Sequence, residues 1–319
     1  MLKKNRKNVL LISVQKDLDV IGLKYLHYYL LKNGYNSFLL HLTNFNPNGE
    51  QSLKNIKQFI SEISPIFIGI SLMSIEYHNA RGLTRYLKSN FKSIPIVWGG
   101  IHPTISPESC LDYADYVCIG EGERTILDFA NAISKNKNPK NINNLCYKEN
   151  GKIKKNPLYP PIENLDEIPL YDHVPKNSFI QRKNGSIVSV DRKNFKKFAR
   201  YRGTTYSIMS SRGCPFSCTY CCNNFISSLY QTRKVRRRSI GNIILELEKA
   251  AADNPEIEYI NFQDDCFLAC TDEYLKEFCK IYKEKIKKPF IVRVIPIYIN
   301  SNKMEYLKDA GLAWISLGL

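Results

Sequence analysis

Apolar residues in the first third of the chain come in short continuous runs, separated by stretches of helical spacing. Val9-Leu10-Leu11-Ile12-Ser13-Val14 is one such run, and after it Leu23, Leu26, His27 and Leu30 recur at i, i+3, i+4 and i+7. The run reads as a buried strand, and residues 22–34 read as an amphipathic helix stopped at Gly34. Ser37-Phe38-Leu39-Leu40, Ile66-Phe67-Ile68-Gly69-Ile70-Ser71, Ile94-Pro95-Ile96-Val97-Trp98 and Tyr116-Val117-Cys118-Ile119 give four further strands. The helix after the last of them turns Ile126, Phe129, Ala130 and Ile133 to one face. Five strands alternating with helices predict an α/β domain over residues 1–137, a doubly wound, Rossmann-like parallel sheet. Such sheets bind ligands beyond the carboxyl ends of their strands.

The pattern lapses between residues 138 and 202, where Asn-Lys repeats and Pro157, Pro160, Pro161, Pro169 and Pro175 predict a linker with little regular helix. Within it, Glu149-Asn150-Gly151 lies between two short runs and predicts a hairpin turn. Strand and helix alternate again over residues 203–319. A strand ends at Ser210, a helix runs from Ile240 to Ala252, and Glu258-Tyr259-Ile260-Asn261-Phe262 is the next strand. Tyr274, Phe278 and Ile281 mark a second helix, and Phe290–Val294 a third strand. Met304 to Asp309 reads as a short helix stopped by Gly311, and residues 313–319 as a fourth strand. The expectation is a partial (β/α) barrel ending after its fourth strand. That strand has no following helix to cover it, which leaves a raw sheet edge and predicts further chain beyond Leu319.

A length of 319 residues fits about two domains, and 44% hydrophobic with 24% charged residues is an ordinary globular balance. No apolar run approaches the ~20 residues that span a bilayer. The basic start before Val9-Leu10-Leu11-Ile12 has too short an apolar core for a signal peptide. Ten cysteines, three on one loop and the rest scattered through apolar segments, fit a reducing cytoplasm. The net charge of +16 raises a nucleic-acid partner, but the basic residues are spread along the chain. The densest run, Arg233-Lys234-Val235-Arg236-Arg237-Arg238, lacks interleaved aromatics and a recognisable binding motif, which ranks nucleic acid low.

The chemistry concentrates in Ser210-Ser211-Arg212-Gly213-Cys214-Pro215-Phe216-Ser217-Cys218-Thr219-Tyr220-Cys221. Three thiolates at C-x3-C-x2-C on one loop suit three irons of a [4Fe-4S] cluster and leave the fourth open. A zinc knuckle is the competing use. Zinc normally takes four closed N/S ligands, and no second pair or nearby His follows, while Cys222 abuts Cys221 too closely to serve the same metal. This spacing, with an aromatic before the last cysteine, resembles the radical S-adenosylmethionine (SAM) enzymes. The resemblance implies that SAM chelates the open iron and is cleaved to a 5'-deoxyadenosyl radical, with Phe216 and Tyr220 beside it. It also implies SAM contacts at the strand ends: Asp264 or Asp265 toward the amino group, Arg293 toward the carboxylate, and Ser316. Asp264 and Asp265 have an alternative use as a cap for the following helix.

The loops of the first domain carry Asp17-Leu18-Asp19-Val20-Ile21-Gly22, Ser71-Leu72-Met73, Gly99-Gly100-Ile101-His102 and Gly120-Glu121-Gly122. In this order they resemble the cobalamin-binding domain of corrinoid enzymes, with its D-x-H-x-x-G, S-x-L and G-G. Asp17, Gly22, Ser71, Gly99 and Gly100 match; Met73 stands for the Leu, and Asp19 stands for the His that ligates cobalt. A carboxylate is a poor substitute for imidazole on that metal, so no protein histidine is expected on it. The two resemblances together are those of the cobalamin-binding radical SAM enzymes. They imply a [4Fe-4S] cluster, SAM and cobalamin as cofactors, a small-molecule substrate, and an external electron donor of flavodoxin or ferredoxin type. Leu165–Tyr171 resembles the segment that bridges the two domains in that group.

Methylation of an unactivated carbon is the leading expectation, with oxidative cyclisation or rearrangement by the same cofactors as the alternative. A tRNA methylthiotransferase would need a second cluster, for which Cys110, Cys118 and Cys146 are not suitably arranged. A corrinoid or redox sensor would bind the cofactors without cleaving SAM. Only four of the six strands of a full barrel are present, so this stretch alone is not expected to close its active site.

Overall fold

The computed structural model describes residues 7–318, so the basic start of the chain and Leu319, at the end of the expected last strand, lie outside the described residues. Two units make up the fold: residues 7–161 with 174–194, and residues 162–173 with 195–318.

The first unit opens with β1 (Asn8–Ser13), α1 (Ile21–Lys32), β2 (Asn36–His41), α2 (Glu50–Ile63) and β3 (Ile68–Ser71). It continues with α3 (Tyr77–Asn90), β4 (Ile96–Gly99), α4 (Ile101–Ile105), α5 (Pro107–Cys110), β5 (Tyr116–Cys118) and α6 (Glu123–Ser134). β6 (Leu145–Glu149), β7 (Lys152–Lys155), β8 (Ser178–Gln181) and β9 (Ile187–Ser189) complete it. All nine strands form one sheet in the order β7-β6-β5-β4-β3-β1-β2-β8-β9. The inner strands are parallel, as expected for a doubly wound domain. Val9, Leu11, Leu39, Phe67 and Val97 on those strands pack with Leu30 of α1 and Phe129 of α6 in one core. Continuous apolar strands of this kind are buried because helices cover both sheet faces.

Residues 138–202, expected to form a linker, instead supply four strands of this sheet. β6 and β7 form the expected hairpin over Glu149-Asn150-Gly151 and add to β5 antiparallel. β8 and β9 extend the opposite edge from β2. Edge strands have one solvent face, and every residue of β7 is exposed, so hydropathy alone does not mark them. Lysines on such an edge oppose pairing with another chain.

In the second unit the elements are α7 (Arg192–Phe198, which starts in the first), β10 (Thr205–Ile208), β11 (Ser211–Arg212), α8 (Cys222–Tyr230) and β12 (Arg236–Arg237). They continue as α9 (Ile240–Asp253), β13 (Tyr259–Phe262), α10 (Asp272–Lys285), β14 (Phe290–Val294), α11 (Ser301–Asp309) and β15 (Leu312–Leu317). The strands β10-β13-β14-β15 lie side by side and all parallel, which is the strand–helix repeat expected. Ser239, Thr271 and Asn300 cap α9, α10 and α11, each accepting a backbone N–H of the helix's first turn. Thr271, not Asp264 or Asp265, thus caps α10.

Residues 162–173 belong to this second unit. The Tyr171 hydroxyl donates to the Ser207 carbonyl on β10, His173 Nε2 lies 2.7 Å from the Gly203 carbonyl, and Asp166 accepts from the Ser239 amide at 2.9 Å. These hydrogen bonds tie residues 162–173 to β10, to the turn before it and to the N-terminus of α9.

Candidate cofactor-binding sites

In the first unit, β1 continues to β2 on one side while β3 lies on its other side, so the strand order reverses between β1 and β3. Ligands of doubly wound sheets bind at such a point. Ser13, Ser71 and Gly99 stand in register there, which brings three of the expected loops together. Asp17 accepts from the Asp19 amide at 3.0 Å, fixing the turn after β1. Asp19 meets Lys24 at 2.6 Å, and that lysine is fully buried. The residue standing where the family has a ligand histidine is therefore committed to an ion pair.

Lys24 was not singled out from the sequence. Its only signal was a lysine beside the apolar face of α1, five residues after Asp19. It belongs to a buried polar patch with His27, whose Nδ1 lies 2.9 Å from the Ser37 hydroxyl, and with His41 at the end of β2. Burial, with the charges of Lys24 and His27, pushes His41 down to about 3.

The glycines divide into two kinds. At Gly100, φ is +101° and a Cβ would lie 2.8 Å from the Leu72 carbonyl oxygen. Backbone crowding alone requires glycine there. At Gly22 nothing lies within 4 Å of where a Cβ would be, so the loop has open space on that side. Gly99 has only Cys118 Cβ nearby, at 3.8 Å, and Gly122 faces Leu26 at 3.3 Å. Gly120 donates to the Thr104 hydroxyl at 3.0 Å, and the Glu121 carbonyl accepts from the Asn144 amide at 3.1 Å. Leu72 is fully buried, whereas Met73 is 43% exposed at the strand end. His102 Nδ1 pairs with Ser74 at 3.0 Å, while its Nε2 is buried without a hydrogen-bond partner. Burial holds the imidazole below its usual range, and Nε2 remains an unused polar atom. Open space at Gly22 and an orphaned imidazole nitrogen at the carboxyl ends of the central strands fit a large planar ligand with polar side groups.

In the second unit, β10 leads directly into the cysteine loop. β11 pairs antiparallel with β12, and Gly213 turns with φ +101° where a Cβ would lie 2.7 Å from the Lys234 carbonyl oxygen. Cys214 is buried, Cys218 and Cys221 are half-buried, and all ten cysteines are free. Burial pushes the Cys214 thiol upward. The Cys221 amide donates to the Cys218 carbonyl at 3.1 Å, and α8 starts at the next residue. Among the described residues no three His, Cys, Asp or Glu side chains already converge on a metal position. Three free thiols on one braced loop nevertheless have the chemistry of cluster ligands. Arg233 holds this loop by donating to the Phe216 carbonyl at 2.8 Å, and Phe216 packs edge-on to Tyr298. Tyr220 is 87% exposed.

The acidic doublet splits. Asp264 is fully buried and accepts from Ser210 and Ser211, so it is turned inward, away from any ligand beyond the strand ends. Burial pushes its carboxyl upward, while the serine hydrogen bonds and Arg237 oppose that shift. Asp265 is exposed, and its charge acts on the Cys214 and Cys222 thiols. Of the two, only Asp265 has an exposed side chain. Arg293 donates to the Phe262 carbonyl at 3.3 Å and stands in register with Ser316, which is exposed on β15.

In the basic run 233–238, Arg233 and Lys234 are exposed while Arg236 and Arg238 are buried. Arg236 donates to the Ile162 carbonyl at 2.6 Å, Arg237 to the Phe267 and Ala269 carbonyls at 2.9 Å, and Arg238 meets the buried Glu246 at 2.6 Å. Burial pushes Cys110 and Cys146 to about 11 and Cys118 to about 12. No helix among the described residues is long and apolar enough to cross a membrane.

Comparison with known families agrees with this geometry. Residues 7–130 match the B12 binding domain, and residues 208–319 match the radical SAM superfamily. The chain joins a B12-binding domain to a radical SAM domain. It is 31% identical over 273 residues to an uncharacterized methyltransferase of Pyrococcus horikoshii, covering 84% of this chain and 54% of that protein. It is 26% identical over 314 residues to the anaerobic magnesium-protoporphyrin IX monomethyl ester cyclase of Rubrivivax gelatinosus, covering 92% of this chain and 50% of that one. The chain thus spans about half the length of these curated relatives. The radical SAM methyltransferase TsrM of Kitasatospora setae matches with a TM-score of 0.75 at 20% identity, over 98% of this chain and 59% of that chain. The cobalamin-dependent radical SAM enzyme OxsB matches with a TM-score of 0.76 at 18% identity, over 98% and 44%. These two share the fold.

Proposed function

We propose that this B12-binding radical SAM chain is the cofactor-binding part of a cobalamin-dependent radical SAM methyltransferase acting on an unactivated carbon of a small molecule. The observation that carries the reading is the loop of Cys214, Cys218 and Cys221, three free thiols braced at the end of a parallel strand. When bound, the cluster with SAM would supply a carbon-centred radical, and cobalamin a methyl group. The chain's own residues bind and orient these groups. Cys214, Cys218 and Cys221 would ligate three irons and leave one for SAM. Asp265, exposed beside the loop, would take the SAM amino group, and Phe216, Tyr220, Arg293 and Ser316 would line its other sides. Asp17, Asp19, Gly22, Ser71–Met73, Gly99, Gly100, His102 and Gly120–Gly122 would hold the corrin, with His102 Nε2 free to hydrogen-bond it. An external one-electron donor of flavodoxin or ferredoxin type would reduce the cluster.

Methyl transfer takes support from the methyltransferase named among the relatives at 31% identity. The cyclase at 26% identity keeps oxidative ring closure as the second reading. Anaerobic reconstitution of the whole protein tests the proposal. Four irons and one cobalamin per chain are expected, with 5'-deoxyadenosine released only on reduction and lost in Cys218→Ala. Unchanged release in that variant would overturn the ligand assignment. A second cluster would favour a methylthiotransferase, and cofactors bound without SAM cleavage would favour a sensor.

A further inference from the structure

We propose that Asp264 is a positioning residue for the cluster loop, setting its geometry from beneath through Ser210, Ser211 and Arg237. The inference rests on the cluster assignment above. Asp264 lies two residues past the end of β13 and has a fully buried carboxylate. One of its oxygens accepts from the Ser210 hydroxyl at 3.0 Å and from the Ser211 hydroxyl; the other accepts from the Ser210 amide at 3.3 Å. Ser211 is in turn paired across β11 and β12 with Arg237. Arg237 donates to the carbonyls of Phe267 and Ala269 at 2.9 Å, on the far side of Asp264 in the chain, and its charge bears on the Asp264 carboxyl.

Three separate segments therefore meet at one carboxylate: the entrance to the cysteine loop, the strand that braces it, and the turn after β13. The Ser210 amide can only donate, so the oxygen it faces must accept, while the two serine hydroxyls donate to the other oxygen. Asparagine can turn its own oxygen to the Ser210 amide, but its NH2 then replaces the acceptor that both serine hydroxyls share, and those hydroxyls must rotate to accept from it. Cys214 lies three residues past Ser211, so any slack at Ser211 passes directly to the first iron ligand. Groups that orient metal ligands in this way are typically worth about 10- to 100-fold in metal affinity.

The test uses the whole protein, reconstituted anaerobically with iron and sulfide, as wild type, Asp264→Asn, Asp264→Ala, Ser211→Ala and Ser211→Thr. Iron content, the EPR spectrum of the reduced cluster with and without SAM, and bound cobalamin are read on each. Asp264→Ala and Ser211→Ala are expected to lose about 10- to 100-fold in affinity for the cluster iron and to lose the SAM-induced EPR change. Ser211→Thr, which keeps the hydroxyl, is expected to restore both, and Asp264→Asn to fall between. Cobalamin retention reports that the first unit is intact. If Asp264→Ala does not fold, the Ser211→Ala and Ser211→Thr pair still decides. Wild-type iron content and an unchanged SAM-induced spectrum in Ser211→Ala and Asp264→Asn would overturn the inference alone. A wild-type chain that takes up no cluster would overturn the proposed function and this inference together.

Discussion

Arg238 and Glu246 offer the sharpest quantitative test of how the second unit is held together. Arg238 and Glu246 side chains are 5% and 1% exposed and meet at 2.6 Å. The contact is one of charge rather than an aligned hydrogen bond, because Glu246 Oε2 has no hydrogen-bond partner. The other carboxylate oxygen accepts from the Tyr206 hydroxyl at 2.8 Å, and Arg238 also donates to the Asn242 side chain at 2.7 Å. Replacing Arg238 by Met fills similar volume but leaves a buried carboxylate without its cation. Breaking a buried pair in this way costs about 3–5 kcal/mol. The middle of that range corresponds to roughly a thousandfold in an opening equilibrium. Hydrogen exchange of the α9 amides reads this locally, so the two-unit chain need not unfold in one step. Arg238→Met is expected to speed their exchange by about two to three orders of magnitude. Arg238→Met with Glu246→Leu removes both charges and is expected to recover most of that protection. Exchange in the single variant within about fivefold of wild type, or a double variant no slower than the single, would refute the reasoning.

Acid should weaken the first unit through His41, whose folded value is pushed from 6.5 to about 3. The neutral form is favoured in the fold, so this contribution is whole above pH 6.5 and is lost as pH falls toward 3, amounting to about 2 kcal/mol by pH 5. Thermal melts of His41→Phe should be less acid-sensitive over that window; an unchanged pH slope would count against it. Gly100→Ala meets both a glycine-only backbone region, φ +101° and ψ −166°, and the Leu72 backbone. Strain and crowding together should cost about 3 kcal/mol, read as earlier loss of β4 amide protection in urea and of cobalamin binding. Wild-type protection would show that the loop can shift aside.

The parallel sheet was legible because its inner strands are apolar on both faces, and the cysteine loop because three like ligands at short spacing have few other uses. The edge strands were not legible. Lys152, Lys154 and Lys155 of β7 are exposed, and a lysine-rich strand has the same composition as a linker. The Asp264-Asp265 doublet could be found but not resolved, since neighbours in sequence at a strand end point opposite ways and only the fold says which is inside. The basic run could be found in the sequence, but its partners could not: Arg236 and Arg238 are buried, the first against the distant Ile162 carbonyl and the second against Glu246 two turns along α9.

The departure at position 19 is compensated within the chain, and that makes its reversal predictable. Asp19 lies 2.6 Å from the buried Lys24, and His27 and His41 share the same patch. Removing the carboxylate takes away that partner of Lys24 and leaves several basic groups together out of water. Asp19→His alone should therefore destabilise the first unit by about 3 kcal/mol or more, the cost of breaking a buried pair. The remedy is a second change: with Lys24→Met the patch loses its surplus cation, and an imidazole at position 19 becomes tolerable. Cobalamin bound to the wild type, reduced by one electron, should show no protein nitrogen on cobalt in its EPR spectrum. The double variant should show nitrogen splitting from the new histidine. A nitrogen-ligated spectrum in the wild type would mean that Asp19 and Lys24 do not govern the cobalt's lower face. Nitrogen ligation in stable Asp19→His alone would mean that the patch tolerates the loss of that carboxylate.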